Sequence, residues 1–284
     1  MNIFVVPNLT RPRAKEVAVG LYRALCEHGG AVRLPLSVRD AFPEFPDETF
    51  APEDELYASA ELVMPVGGDG SVLRAAKHAY AYDKPVLGVN AGTLAYLCGL
   101  DESGFPLLAR LMSGDYTTQR RMLLQADVYD ADETLVRSHF ALNDVAFARG
   151  RDIGLVDLSV RANGKRIADY VADGVLFATP TGSTGYSMSA GGPIVEPTLD
   201  AMLLTPICPH SLAFRPYIFA PDTVFEVRGN VRGRNAEVLY TCDGEKSLPL
   251  ADGQRVVIRK ADKKLRFLSL TSDNFIDVLN KKAL

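Results

Sequence analysis

Three short segments of this 284-residue chain carry residue types whose spacing suits chemistry. The first is Gly67-Gly68-Asp69-Gly70-Ser71, set between an apolar run and an amphipathic one. Glycines let a backbone turn sharply and approach a ligand with no Cβ in the way. A helix starting there would present free N–H groups that suit an anion. A carboxylate repels phosphate, so Asp69 is out of place in a plain phosphate cradle. It suits a group that orients a hydroxyl and takes its proton. Arg74, just over one turn later, would offset charge on a nucleotide. The same residues also suit a glycine turn in which Asp69 caps the helix.

The second segment is Leu142-Asn143-Asp144-Val145, an amide beside a carboxylate in an apolar run. Such a pair suits a ribose diol, with the carboxylate accepting from hydroxyls, and it also suits a turn or strand end. The third is Ala172-Asp173-Gly174 followed by the run from Thr179 to Pro193. That run holds six Ser or Thr side chains and four glycines around Tyr186. Its composition suits a wrap around a polar, many-hydroxyl ligand, with Tyr186 placed to stack on a ring. A serine-rich linker is the alternative, and the apolar strands flanking the run argue against it.

The elements that must position these segments change character near the middle of the chain. Asn2 to Val6 reads as a buried strand. A helix follows with Val17, Leu21, Ala24 and Leu25 on one face, closed by Gly29 and Gly30. Leu62 to Val66 is a strand leading into the glycine turn, and Val72 to Ala79 a helix after it. Pro85 to Val89 is another strand. Alternating strands and helices imply a parallel sheet with crossover helices. Ser37 to Glu55 has no apolar period and carries seven acids against one arginine, so we expect a solvated surface loop rather than a gate. After about Tyr116 the period becomes two. Asn163-Gly164 and Asp243-Gly244 are hairpin signals, and the second half reads as mostly antiparallel β.

Composition excludes several classes. The chain is 47% hydrophobic and 23% charged, ordinary for a globular protein. No apolar run approaches the ~18 residues of a membrane helix, and Ile3 to Val6 is too short for a signal-peptide core. We expect a cytoplasmic protein without membrane association. Lys and Arg number 31 against 35 Asp and Glu, a net charge of −4. A basic field for nucleic acid is therefore missing. Cys26, Cys98, Cys208 and Cys242 form no CxxC pair, and no protein-held metal cluster is expected.

Together the three segments resemble the NAD kinases, which phosphorylate the 2′-hydroxyl of the adenosine ribose of NAD. The resemblance runs from about Leu62 to Leu270. Gly67-Gly68-Asp69-Gly70 matches a motif shared with lipid kinases and phosphofructokinases. Asn143-Asp144, Asp173-Gly174 and the run from Thr179 to Pro193 are more specific. Thr205 to Leu212 and Arg215-Pro216 follow at the family's spacing. The resemblance implies an α/β domain at 1–116 joined by about 258–284, and a β-rich NAD-binding domain at 117–257. It implies Asp69 as the catalytic proton acceptor. It implies NAD contacts from Asp69, Gly70, Arg74, Asn143, Asp144, Asp173, Thr184, Gly185, Tyr186, Ser187, Met188, Ser189 and Glu245. ATP and NAD are the expected substrates, Mg²⁺ the expected metal, and a homo-oligomer (dimer or tetramer) the expected assembly. The chain departs from the family pattern at Ala95-Tyr96-Leu97, at Val171 and Glu245, which stand for arginine and glutamine, and at Gly154.

A lipid kinase would use the same glycine–aspartate chemistry but leaves Asn143-Asp144 and the Thr179 to Pro193 run without a task. A dinucleotide sensor would gain nothing from a carboxylate at the hydroxyl. His210, between Pro209 and Ser211, reads as a packing or hydrogen-bonding residue rather than a base.

Overall fold

The computed structural model of the chain describes residues 1–92, 95–150, 154–229, 237–271 and 275–283. They divide into two units, Met1–Arg120 with Leu265–Leu284, and Arg121–Lys264. The first unit begins with β1 (Asn2–Pro7), α1 (Ala14–Glu27), β2 (Ala31–Pro35), β3 (Phe50–Ala51) and α2 (Glu53–Ser59). It continues through β4 (Leu62–Gly67), α3 (Asp69–Ala81), β5 (Gly88–Asn90), β6 (Cys98–Leu100), α4 (Leu108–Met112) and β7 (Thr117–Arg121).

Six of these strands form a parallel sheet in the order β3-β2-β1-β4-β5-β6. Every residue of β4 is buried, as a parallel strand covered on both faces requires. α1 buries Val17, Ala18, Leu21 and Leu25 at helical spacing and ends at Gly29, whose φ of +79° suits glycine. The order places β1 and β4 side by side where the winding reverses. Open α/β sheets bind ligands outside the carboxyl ends of their strands at such a reversal. The turn from Gly67 to Gly70 leaves the carboxyl end of β4 there.

Ser37–Glu55 is not the solvated loop expected from its composition. Short 3₁₀ turns span Leu36–Ala41 and Asp47–Thr49, followed by β3 and the start of α2. Phe42, Phe45 and Phe50 are buried. Phe45 stacks on Tyr22 of α1 with ring centroids 4.0 Å apart, and Phe42 on Phe45 at 5.3 Å. Aromatic anchors at irregular spacing carry neither helical nor strand period, so a reading by periodicity passes over them.

The second unit runs through β8 (Leu124–Tyr129), β9 (Leu135–Ala141), β10 (Asp144–Arg149), β11 (Val156–Ala162), β12 (Lys165–Ala172) and β13 (Gly174–Ala178). Then come the one-turn helix α5 (Tyr186–Ser189), β14 (Met202–Ile207), β15 (Tyr217–Phe219), β16 (Phe225–Gly229), β17 (Val238–Cys242), β18 (Leu248–Pro249) and β19 (Arg255–Lys260). Two antiparallel six-stranded sheets result, β15-β14-β13-β10-β17-β18 and β12-β11-β16-β19-β8-β9. Their inner faces share one core that includes Phe147, Tyr170, Phe177, Phe225 and Tyr240, the usual interior of a sandwich. Asn163 and Gly164 turn the β11–β12 hairpin with φ of +49° and +75°, as a two-residue primed turn demands.

The chain then returns to the first unit. β20 (Leu265–Ser269) pairs with β7, and α6 (Phe275–Ala283) follows. Leu268 and Leu270 join the first unit's core, and Val86 bridges both Val63 and Phe267. β19 pairs with β16 and β8, so Ile258 belongs to the second unit's sheet and the return begins at Leu265. Positions 272–274 and 284 of the expected return lie outside the described residues. Among the described residues no helix is long and apolar enough to cross a membrane.

Candidate active site

In the first unit the ends of β1, β4 and the start of α3 are knit together. A Cβ at Gly67 would stand inside contact distance of the Ser71 hydroxyl, and that hydroxyl accepts from Asn8 Nδ2 at 2.9 Å. Gly68 occupies the N-cap position of α3 with an extended backbone, and no side chain caps the helix. Asp69 is therefore not the cap. Its carboxylate turns to the segment before β6, where Oδ2 accepts from the Tyr96 N–H at 2.9 Å and Oδ1 from the Leu97 N–H at 2.7 Å. A carboxylate oxygen has two acceptor positions, so both oxygens are oriented and each can still receive a proton or hydrogen bond. The first N–H groups of a helix have no partner within it. Gly70 is exposed there with open space where a Cβ would stand, and Arg74 is exposed one turn on.

In the second unit Asn143 precedes β10 and Asp144 begins it. Asn143 is half-buried, and its Oδ1 is buried with no hydrogen-bond donor. Asp144 is 6% exposed. The run from Thr179 is fastened to this pair. Thr179 donates its N–H to the Asn143 carbonyl at 2.9 Å and its hydroxyl to the Leu142 carbonyl at 2.5 Å. The Gly182 N–H donates back to the Thr179 hydroxyl at 3.0 Å. Gly182 packs so closely that a Cβ would overlap the Asn143 backbone, and the Asn143 amide nitrogen lies 3.4 Å from where a Gly185 Cβ would stand.

Many of the hydroxyls in this run hold the loop rather than face outward. Ser183 donates to the Pro180 carbonyl at 2.7 Å and accepts from the Val195 N–H at 3.0 Å. Ser187 is fully buried and pairs with the Thr205 hydroxyl at 3.2 Å. Thr179, Thr181, Ser183 and Ser187 are all buried, while Thr184 and Gly185 are half-buried and Tyr186, Met188 and Ser189 exposed. Tyr186 is 46% exposed. Partial burial first, then the nearby charges of Asp144, Cys208 and Asp173, hold its hydroxyl above the ordinary tyrosine range. The phenol therefore stays protonated at neutral pH and can donate. Asp173 is half-buried, and Glu245 is exposed in the turn after β17. His210 is exposed and donates its backbone N–H to the Val171 carbonyl at 2.8 Å. Its imidazole packs in no core.

Two family models match the chain, the ATP-NAD kinase N-terminal domain over residues 3–116 and the C-terminal domain over residues 142–270. The chain belongs to the ATP-NAD kinase family. It is 32% identical to the NAD kinase of Caldanaerobacter subterraneus subsp. tengcongensis over 284 residues, 99% of this chain and 98% of that one. It is 33% identical to that of Natranaerobius thermophilus over 282 residues, 99% and 97% of the two chains. The yeast NADH kinase complexed with NADH superposes with a TM-score of 0.88 at 26% identity, covering 99% of this chain and 86% of that one. An NAD kinase from Archaeoglobus fulgidus in complex with ATP gives 0.72 at 25% identity, covering 99% and 96%. The chain is accordingly an NAD kinase, a transferase.

Membership in the ATP-NAD kinase family gives its departures a structural reading. Val171, one of them, is half-buried at the end of β12. A cation stands beside Asp173 from another strand: Arg149 at the end of β10 has its Nε 3.4 Å from Asp173 Oδ1. Nothing in the sequence pairs residues 149 and 173; the register of β10 against β13 brings them together. Arg121 stands by the Thr179 run as a second cation: it is half-buried, its Nη1 lies 3.5 Å from the Thr181 hydroxyl, and desolvation pushes its pKa down to about 10.

Proposed function

We propose that this NAD kinase transfers the terminal phosphoryl group of ATP to the 2′-hydroxyl of the adenosine ribose of NAD, with Asp69 accepting the hydroxyl proton. The observation that carries the reading is the Asp69 carboxylate, turned away from its own helix and held by the Tyr96 and Leu97 amides. In the transfer the O2′–P bond forms as the bond from the γ-phosphorus to the bridging oxygen breaks. ADP leaves, and the 2′ proton passes to Asp69. Gly70 and Arg74 serve the dinucleotide phosphates. Asn143, Asp144 and Asp173 hold NAD through polar groups. Tyr186 lies against the adenosine, flanked by Thr184, Gly185, Met188 and Ser189 and supported from beneath by Ser187, while Glu245 approaches from its turn. Such a reaction leaves the protein little covalent work, so orientation and charge neutralisation set the rate.

Among the described residues no three His, Cys, Asp or Glu side chains converge as a metal cage. Mg²⁺ would then enter with the nucleotide, held by triphosphate oxygens and water as magnesium commonly is, and would supply charge neutralisation during transfer. Incubation with Mg-ATP and NAD should yield NADP, read by an NADP-specific dehydrogenase. Absence of NADP at saturating substrates overturns the reading.

Asn143→Ala and Asp144→Ala should chiefly raise the KM for NAD. Unpairing a buried polar group costs about 1–3 kcal/mol, or roughly ten-fold and more in KM. Equal rises for ATP and NAD would mark the pair as structural instead. Tyr186→Phe should be mild, because stacking survives loss of the hydroxyl. Tyr186→Ala should weaken NAD binding by about 1–3 kcal/mol, the range for base–aromatic stacking, with little change in melting. Early unfolding with normal NAD affinity by calorimetry would make Tyr186 a packing residue.

The protein acts in the cytoplasm as a homo-oligomer. None of the four cysteines is joined in a disulfide, which suits a reducing compartment. β15 is an edge strand whose Tyr217 and Ile218 are exposed, and Leu212 before it is 90% exposed. Edge strands of this kind invite pairing with another chain, and light scattering would give the subunit number.

A further inference from the structure

The turn Asp243-Gly244 shows itself in the sequence only as a hairpin signal, yet its aspartate does more than turn the chain. Asp243 Oδ1 accepts the Asn143 N–H at 2.7 Å and the Asp144 N–H at 3.0 Å, and Oδ2 accepts the Leu142 N–H at 2.9 Å. In return the Asp243 N–H donates to the Asp144 carbonyl at 2.9 Å. Three successive amides converge on one carboxylate, the concave arrangement in which backbones bind anions. Here the anion belongs to the protein itself. The opposite side of the same stretch is fixed by Thr179, through the Leu142 and Asn143 carbonyls. The peptide carrying Asn143 and Asp144 is thus clamped on its amide side by Asp243 and on its carbonyl side by Thr179.

We infer that Asp243 is a positioning residue for NAD binding, holding the Leu142–Asp144 backbone so that the Asn143 amide and the Asp144 carboxylate keep one orientation. The inference rests on the reading that these two side chains hold NAD. Asn143 is half-buried and Asp144 is buried, so neither side chain can be re-aimed without moving the backbone that Asp243 holds. The backbone of Asp243 supports the same view. Its φ of +55° lies in the left-handed region, where glycine and asparagine fit without strain and most residues do not. Glycine would turn the hairpin equally well, so the turn alone does not call for the carboxylate.

That backbone geometry supplies two clean probes. Asp243→Gly removes the carboxylate and relieves any strain. Asp243→Asn keeps the conformation and one acceptor oxygen but turns an NH₂ toward one amide donor. For Asp243→Gly we expect the KM for NAD to rise about ten-fold or more, the loss given by removing hydrogen bonds to a charged group. The KM for ATP should stay within about two-fold, the split that marks a loss of binding to one substrate. Asp243→Asn should fall between wild type and glycine. In a chain already carrying Asn143→Ala and Asp144→Ala, Asp243→Gly should raise the KM for NAD by less than about two-fold, because residues acting through one another are not additive.

An unchanged KM for NAD overturns the inference. So does the same rise in both backgrounds, or an equal rise for ATP. Should Asp243→Gly melt below the assay temperature, Asp243→Asn carries the same comparison in the cold. If Asn143→Ala and Asp144→Ala themselves leave the KM for NAD unmoved, the reading of the pair fails and takes this inference with it. If they raise it and the Asp243 variants do not, this inference fails alone.

Discussion

Asp69→Asn lowers kcat by about 10²- to 10⁴-fold, the usual loss when a general base is removed, and leaves the KM for NAD within a few-fold of wild type. The expectation follows from geometry. Asp69 sits at the first turn of α3 with its two oxygens directed by the Tyr96 and Leu97 amides. An asparagine has nearly the same shape but offers one acceptor oxygen and cannot take a proton. One of the two amides therefore faces an NH₂ group, and the segment before β6 should loosen slightly. A neutral hydrogen bond contributes about 0.5–1.5 kcal/mol, so a small drop in melting temperature belongs to the prediction. The kinetic loss is far larger than that disturbance can supply. Turnover within a few-fold of wild type would falsify the proton-acceptor role and leave Asp69 as an anchor for Tyr96 and Leu97.

Gly182→Ala damages stability and NAD binding together. A Cβ at this position overlaps the carbonyl oxygen, carbonyl carbon and Cα of Asn143, all backbone atoms that cannot rotate aside. Nor can that backbone yield easily, since Thr179 holds its carbonyl and Asp243 its amide. Overpacking of this kind costs about 1–3 kcal/mol, occasionally more, and whatever shift relieves it displaces the Asn143 side chain. We expect a lowered melting temperature and a rise in the KM for NAD at least as large as that of Asn143→Ala. Gly70→Ala is the control for stability. It has open space for a Cβ and lies within α3, where alanine is favoured over glycine by about 1 kcal/mol. Its melting temperature should hold or rise. If Gly182→Ala melts and binds NAD like wild type, the close approach of the Thr179 run to Asn143 is not needed for the site.

The parts of this protein legible in its sequence are those governed by local rules. Apolar period separates the α/β stretch from the antiparallel one because helices and strands bury faces of different repeat. Gly67 to Gly70 announces its turn because little else than glycine lets β4 pass so close to Ser71. Asn163-Gly164 announces its hairpin because both residues take positive φ. The density of small residues from Thr179 to Pro193 marks a close-packed loop, and the family follows from these motifs in their order.

The tertiary structure decided what depends on contacts between distant residues. Composition alone could not divide the hydroxyls of the Thr179 run, and packing sets Thr179, Ser183 and Ser187 to hold the loop while Thr184, Tyr186 and Ser189 are more open. Phe42, Phe45 and Phe50 turn an acidic stretch into an ordered cover for α1, against the expectation from its charge. Strand register sets Arg149 beside Asp173. Asp243 reaches the Asn143 amide across 100 residues of chain. A local pattern records what each residue can do with its neighbours in sequence, whereas a carboxylate's partner is chosen by which strands pair and in what register. For that reason the sequence alone offered candidate groups for the site, and the fold alone assigned what holds each of them in place.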